Sequence, residues 1–323
     1  MENLNLKIKL IVSFVLAVSL VFISPSHAYV LQGRHVLDLM IEKLGEAETL
    51  FVSQKLIFYR IAPSAATSTS AMADAPLPKA GDGGGAIQEG APFAAHKRVS
   101  ASETIELEGS LRFVFSDTFR SDARSQDSER IYIFSHGRTL TIIDGNIVPD
   151  AANRFDLYKD ILLYRSRPAL ADRLSELGVD VSISSLGRFE DRIAFVLGAE
   201  YPDASVSQLW VDKETLLPFR LIIKGFNGGA DSNTVEVRYL TWWKIGETRY
   251  PSRIEFYQDD NLVRVNQAKN FEENATFSKE LFDIDHLEMI YPRTISLPPA
   301  APGAPEEPSE IQKTIEEFKR IFE

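Results

Sequence analysis

The feature that most limits what this chain can fold into is the series of strand-like segments after Gly178. From residue 179 to residue 271, seven segments alternate apolar and polar residues and are separated by short turns. This alternation is typical of a sheet with one buried and one solvated face, and the short turns favour an antiparallel meander. The stretch LWVDKETLLPFRL (209–221) predicts one such hairpin, with DKET as the turn and Pro218 at the start of the returning strand.

Earlier parts of the chain combine the same strand pattern with helices. Strand patterns occupy residues 50–60 and 99–148. Helical spacing of apolar residues predicts a helix over 36–44, ended by Gly45, and two helices between Arg154 and Gly178. The order of these elements predicts an α+β fold: a strongly curved antiparallel sheet with a few helices that cover one of its faces.

The alternation also predicts which side chains face inward. Bulky apolar side chains from several strands line one face of the sheet, and the two helices after Arg154 are expected to face this lining. The inward strand residues are Phe113, Phe115, Ile133, Leu140, Phe219, Leu221, Tyr239 and Phe256, and the helix residues that face the sheet are Tyr158, Ile161, Leu162, Leu170 and Leu174.

The first 28 residues have the features of a secretory signal peptide. Lys7 and Lys9 precede an apolar stretch of about 14 residues, which is shorter than the ~20 that a membrane-spanning helix needs. Ser-His-Ala at 26–28 supplies the small residues of a cleavage site. We therefore expect an exported protein that is periplasmic and soluble after cleavage near Ala28. An uncleaved anchor is the alternative.

The composition divides the rest of the chain into a domain and its appendages. Residues 29–292 form the predicted domain, and within it residues 61–98, rich in Ala, Ser, Gly and Pro, form a flexible insertion. Residues 293–308 are a Pro-rich linker. Residues 309–323 predict an amphipathic helix whose apolar stripe needs a partner, and we expect it to act as a docking element.

Several kinds of chemistry are disfavoured by the composition. The chain has no cysteine, which excludes disulfides, thiolate metal sites and a cysteine nucleophile. Its formal net charge of −11 disfavours a nucleic-acid partner. No catalytic or phosphate-loop motif is present, and no two histidines have metal-ligand spacing. We therefore expect no enzymatic activity, no cofactor and no bound metal.

The sequence contains the segments LWVDKETLLPFRL, YLTWWKIGETRYPSRIEFY (239–257) and NQAKNFEENATFSKELFDI (266–284). These segments resemble the outer-membrane lipoprotein-sorting family of periplasmic lipoprotein carriers. TFRSDAR (118–124) matches a further motif except for a missing proline. The resemblance covers about residues 31–290 and implies a half-open β-barrel, closed on one side by helices, with an apolar cavity for acyl chains. The inward strand residues given above are then the predicted cavity residues, some of which stay accessible to solvent, and the helix residues are the predicted lid residues. A fully packed core and permanently packed helices are the alternatives. The matching positions are Phe119, Arg120, Trp210, Asp212, Pro218, Gly246 and Pro251. Trp210, Asp212 and Pro218 are scaffold positions in that family.

Two functions follow from the resemblance and the residues together. The first is a carrier or binder that holds the acyl chains of a lipid or lipoprotein in the apolar cavity. The second is a periplasmic sensor or interaction module on the same fold, which binds an exported segment of a membrane protein and uses the C-terminal helix to dock. A third alternative is an exported β-rich domain whose apolar face is only a core.

Overall fold

The computed structural model describes residues 30–59, 104–115, 117–148, 153–202, 205–225 and 234–293. The predicted signal peptide, the insertion at 61–98 and the C-terminal helix at 309–323 lie outside these residues, as does the linker after residue 293. They remain predictions.

Strands dominate the described part of the chain. It contains four α-helices: α1 (Gly33–Leu44), α2 (Tyr158–Leu163), α3 (Arg167–Glu176) and α4 (Ile284–Ile290). Short 3-10 turns at Arg154–Leu157 and Lys279–Leu281 precede α2 and α4. The strands are β1 (Thr49–Tyr59), β2 (Thr104–Val114), β3 (Thr118–Arg124), β4 (Glu129–Ser135), β5 (Arg138–Ile143), β6 (Asn146–Val148), β7 (Ser184–Phe189), β8 (Arg192–Leu197), β9 (Gln208–Asp212), β10 (Pro218–Ile223), β11 (Val235–Ile245), β12 (Thr248–Gln258) and β13 (Asn261–Glu273).

The strands form one antiparallel sheet of thirteen strands in the described residues, in the order β6-β5-β4-β3-β2-β1-β13-β12-β11-β10-β9-β8-β7. The sheet is two meanders, joined where β1 pairs with β13. Its two edge strands, β6 and β7, are connected in sequence by the segment that contains α2 and α3. The α+β class and the open, barrel-like antiparallel sheet expected from the sequence are confirmed.

The helix boundaries follow the chemistry of the sequence. Gly45 ends α1 with φ +98°, a conformation that favours glycine, and a Cβ there would lie 2.4 Å from the carbonyl oxygen of Glu247. Pro168 occupies the first turn of α3, where its missing N–H costs nothing. Helix α4 was not predicted. It is short, and its N-cap is Asp283, whose side chain accepts a hydrogen bond from the backbone N–H of His286.

The two faces of the sheet are covered differently. We call the face that carries Phe113 and Phe119 the inner face; helices α1, α2 and α3 pack on it and form the main core with it. The opposite, outer face carries smaller clusters. Helix α4 covers one of them through Ile284 and Leu287, and Trp210 is the centre of another.

Candidate functional site

The inner face has an aromatic floor. The Phe113 ring lies 4.9 Å from Phe119 and 6.1 Å from Tyr250, both in edge-to-face geometry. The Phe256 ring lies 6.0 Å from the ring of Phe155 and 5.4 Å from the ring of Tyr158, and both are nearly perpendicular to it. The first helical turns after Arg154 therefore pack directly on the sheet. Edge-to-face contacts of this kind stabilise aromatic clusters beyond the burial of their area.

Residues 154–177 cover this floor. The five predicted lid residues, Tyr158, Ile161, Leu162, Leu170 and Leu174, are all buried in the main core. Polar contacts add to the apolar packing. The hydroxyl of Tyr239 donates to the backbone oxygen of Tyr158 at 2.9 Å, and Arg154 donates to Gln258 at 2.8 Å.

Two buried ion-pair systems hold the same helices. Arg130 on β4 pairs with Asp156 at 2.8 Å. On α2, Lys159 pairs with Asp160 at 2.8 Å, and Asp160 also accepts a bond from Arg173 of α3 at 2.7 Å. Burial alone would lower the pKa of the Lys159 ammonium, but the charge of Asp160 overcomes it and the pKa is raised. Lys159 therefore stays charged while almost fully buried.

Several polar atoms on the inner side of the fold are buried without a hydrogen-bond partner. In the part of the chain that the structure describes, these include Gln54 Nε2, Asn266 Nδ2 and the hydroxyls of Tyr158 and Tyr250. Burial raises the pKa values of both tyrosines, which keeps the hydroxyls neutral. An unmade hydrogen bond of this kind costs about 1–3 kcal/mol, so the presence of several on the inner side of the fold needs an explanation.

Two arginines lie against aromatic rings on the inner side of the sheet. Arg264 donates to Asn266 Oδ1 at 2.7 Å and lies 4.8 Å from the centroid of the Phe256 ring. Burial lowers the pKa of its guanidinium, although nearby Tyr158 and Asp156 partly oppose this. Arg165, in the loop between α2 and α3, lies 4.3 Å from the centroid of the Phe115 ring, and its Nε and Nη1 are buried without a partner. Burial lowers the pKa of this guanidinium as well.

The predicted cavity residues do not all share the inner face. Phe113, Leu221, Tyr239 and Phe256 are buried in the main core, and Phe115, which is half-buried, packs against them. The expected solvent access is therefore kept only by Phe115, because the helices close the surface. The other three predicted residues, Ile133, Leu140 and Phe219, lie on the outer face.

The reasons for these three corrections are local. Cross-strand partners share a face. Ile133 is opposite Leu140 and Arg120, whereas Phe113 is opposite Phe119, so the inward set on β4 is shifted by one residue from the prediction. Phe219 lies at a register shift between Pro218 and Arg220, and this bulge turns it toward Trp210, 6.2 Å away.

The motif positions have structural roles that can be named. Phe119 is part of the aromatic floor. Arg120 donates to Asp122 and to the backbone oxygen of Leu281, both at 2.9 Å, and so ties β3 to the turn before α4. Trp210 is buried and donates to Gln208 at 3.0 Å. Gly246 has φ +55° in the turn between β11 and β12.

The remaining motif positions belong to strand connections. Asp212 Oδ1 accepts hydrogen bonds from the backbone N–H groups of Glu214 and Thr215, which closes the DKET turn. Pro218 is the first residue of β10, as predicted, and is buried. Pro251 lies buried in β12, opposite Trp242.

Sequence reasoning missed the buried polar groups of the site. Gln54 could have been found, because it occupies an inward position between Val52 and Leu56 on an otherwise apolar face. Lys159 and Asp160 carry no such signal, since adjacent charges at the start of a helix are normally solvated. Only the packing of α2 against the sheet shows that they are buried.

A cavity of about 650 Å³ lies at the end of the sheet beside α4, lined in part by Val114, His136, Phe277 and Phe282. Among the described residues, no group of three His, Asp or Glu is placed to hold a metal ion. No helix in the same residues is long and apolar enough to cross a membrane.

Comparisons with known proteins found solved structures that are similar to this chain. No family model and no curated protein matches it. A LolA superfamily protein from Nitrosomonas europaea is similar, with 8% identity, 79% of this chain and 99% of that chain covered, and a TM-score of 0.47. A protein named as an outer membrane lipoprotein-sorting domain, from Vibrio parahaemolyticus, has 9% identity, coverage of 79% and 97%, and a TM-score of 0.44. A DUF1329 family protein from Desulfovibrio piger has 9% identity, coverage of 79% and 98%, and a TM-score of 0.45.

Proposed function

We propose that the protein is a periplasmic carrier that binds the acyl chains of a lipid or lipoprotein on the inner face of its sheet. It would reach the periplasm through the leader at residues 1–28, with cleavage near Ala28. Residues 154–177 would act as a lid that moves to admit the ligand. In this proposal the protein performs no chemistry on its ligand.

The observation that carries this proposal is the set of unpaired polar atoms on the inner side of the fold. A cover that only completes a core normally leaves few polar groups unsatisfied. Here three donors are buried without partners: the hydroxyl of Tyr158 on the lid itself, and Gln54 Nε2 and the hydroxyl of Tyr250 on the sheet. A lipid has acyl chains for the aromatic floor and ester or amide oxygens for these donors, so it would satisfy both kinds of surface.

The energetics suit transfer and not permanent storage. Each buried CH₂ group of an acyl chain contributes roughly 0.8 kcal/mol relative to water, but a chain in a membrane already has that stabilisation. Moving it to an apolar protein surface is therefore close to neutral. The closed lid protects the inner face from water when no ligand is bound, and the unmade hydrogen bonds lower the cost of opening it.

A reversible cross-link between lid and sheet tests the proposal. The chain has no native cysteine, so Arg154→Cys with Gln258→Cys creates one defined pair at a contact that joins the first lid turn to β12. Bridging the pair with a bifunctional, reducible thiol reagent should abolish uptake of a fluorescent acyl-chain phospholipid. Reducing the bridge should restore uptake.

The matched control bridges two strands without touching the lid. Lys55→Cys with Glu106→Cys replaces a partly exposed ion pair between β1 and β2. This cross-link should leave uptake unchanged. Equal uptake by the lid-bridged and unbridged proteins would show that residues 154–177 are permanent packing, and no uptake by any form would reject the carrier function.

A further inference from the structure

The ammonium group of Lys159 lies in an aromatic cage. Its Nζ atom is 5.1 Å from the centroid of Phe134, 5.6 Å from Tyr132 and 6.0 Å from Phe119. All three rings belong to β3 and β4, whereas the lysine belongs to the lid helix α2. Rings around a cation at these distances form the usual recognition site for ammonium groups.

The cage is built by the sheet and does not depend on the lysine for its geometry. Phe119 packs against Phe113 at 4.9 Å and against Tyr132 at 6.3 Å. The carboxylate partner of Lys159 is Asp160, which lies on α2 itself and is also held by Arg173 of α3. When the lid moves, Lys159 leaves together with Asp160 and Arg173, and the three rings remain on the sheet as an ammonium site open to a ligand.

We propose that these rings are the headgroup subsite for an amine-bearing phospholipid and that Lys159 occupies it in the closed protein as a stand-in for the ligand's ammonium. This inference rests on the proposed carrier function and names the class of lipid. Lys159 and the ammonium group of the ligand compete for one site. A lipid without an amine therefore lacks a contact that helps to displace Lys159 and, with it, the lid.

Arg130 of β4 supplies a second feature that suits such a headgroup. Its guanidinium lies 5.2 Å from the centroid of the cage residue Tyr132 and pairs with Asp156 of the lid at 2.8 Å. When the lid moves, Asp156 leaves and Arg130 stays on the sheet. A phosphate would take the place of the Asp156 carboxylate against this guanidinium. Ammonium and phosphate are adjacent in ethanolamine and choline phospholipids, which matches a cation cage with an arginine beside it.

The test compares lysophospholipids that share one myristoyl chain and differ in headgroup. Ethanolamine and choline headgroups carry the ammonium, and the glycerol headgroup does not. Calorimetric titration of the full chain should give roughly tenfold tighter binding of the two amine lipids. Tyr132→Leu and Phe134→Leu should each remove most of this preference while keeping the affinity for the glycerol lipid.

Substitution of the lysine tests the competition directly. Lys159→Met keeps the apolar stem, leaves Asp160 paired with Arg173, and should tighten binding of the amine lipids by roughly tenfold with a smaller change for the glycerol lipid. Arg173→Gln is the control, because it loosens the same helices and leaves Lys159 in the cage. It should change the affinity for all three lipids by the same factor.

The outcomes separate the two proposals. If wild-type protein binds all three lipids equally well, the cage is not a headgroup site, although the carrier function stands. If Lys159→Met raises all three affinities equally, the lysine only holds the lid shut and the inference is wrong. Binding of none of the lipids would reject the carrier function itself. If Lys159→Met does not fold, the two ring substitutions still decide the matter.

Discussion

Asp212 shows how one carboxylate can set a hairpin. Its Oδ1 accepts bonds from the N–H of Glu214, the N–H of Thr215 and the hydroxyl of Thr215, at 2.8–3.0 Å. Two residues after Thr215, Leu217 packs in the inner core, and Pro218 begins β10. The turn is thus held by an acceptor that the backbone itself cannot supply.

Two substitutions of Asp212 should distinguish the contribution of its hydrogen-bond acceptor from that of its negative charge. Asp212→Ala removes the acceptor, and we expect the free energy of unfolding to fall by about 1–2 kcal/mol in urea titrations. Asp212→Asn keeps an oxygen at the same place, so it should retain most of the stability. Equal losses in the two variants would mean that the charge, and not the turn geometry, stabilises this hairpin.

At the scale of the elements, α4 has one buried face and one exposed face. Leu287 is 5% exposed and packs on the outer-face cluster of Ile131, Ile133 and Leu140, whereas Met289 is 78% exposed. Leu287→Ala should lower the free energy of unfolding by about 2–5 kcal/mol. Met289→Ala in the same helix should change it by less than about 0.5 kcal/mol. Similar effects of both would show that α4 does not stay docked.

Strands β10 and β11 are joined on the outer face by a buried carboxylate. Glu236 accepts bonds from Arg220 at 2.8 and 2.9 Å and from Arg238. Burial tends to raise the pKa of Glu236, but the bonds and charges of the two arginines outweigh it, and the pKa lies below its ordinary value of 4.5. The resulting stability is full above that ordinary value and is lost as the pH falls through the folded-state pKa.

Glu236→Gln should therefore reduce the loss of unfolding free energy that acid pH causes. We expect the variant to be less stable than the wild type at neutral pH and to lose less stability between neutral pH and pH values below 4.5, as measured by urea unfolding at each pH. Glu247→Gln, at a site whose side chain is 83% exposed, is the control and should keep the wild-type slope. An unchanged slope in Glu236→Gln would contradict the argument.

The sequence was sufficient for most elements but not for α4 and not for every face. Alternation and turn residues predicted the strands, the two helices between Arg154 and Gly178 and the placement of Pro218, because these depend on neighbours in the chain. The face of Phe219 depends on a bulge against β9, and the faces of Ile133 and Leu140 depend on register with β3. The cage around Lys159 joins residues about 25 to 40 positions apart, which no local pattern records.

At the scale of the whole molecule, the pairing of β1 with β13 holds the two meanders together. It runs from Leu50 opposite Glu273 to Phe58 opposite Arg264. A chain that ends after residue 260 lacks β13, and we expect it to show no cooperative thermal transition. A chain without residues 297–323 keeps every described element, so its transition should stay close to that of the full chain. A cooperative transition in the chain that ends after residue 260 would mean that the pairing of β1 with β13 is dispensable.

The same pairing determines when the molecule can become folded. The N–H of Glu48 donates to Asn274, a contact between residues 226 positions apart, so the centre of the sheet cannot assemble until nearly all of the chain is present. Sheets built on such distant contacts fold slowly, because the entropy of closing the loop is lost before the contact stabilises it. For a chain exported as we propose, slow folding favours export. A precursor that cannot complete its sheet early stays extended enough to be threaded through a membrane, and it folds only after its last strand has crossed.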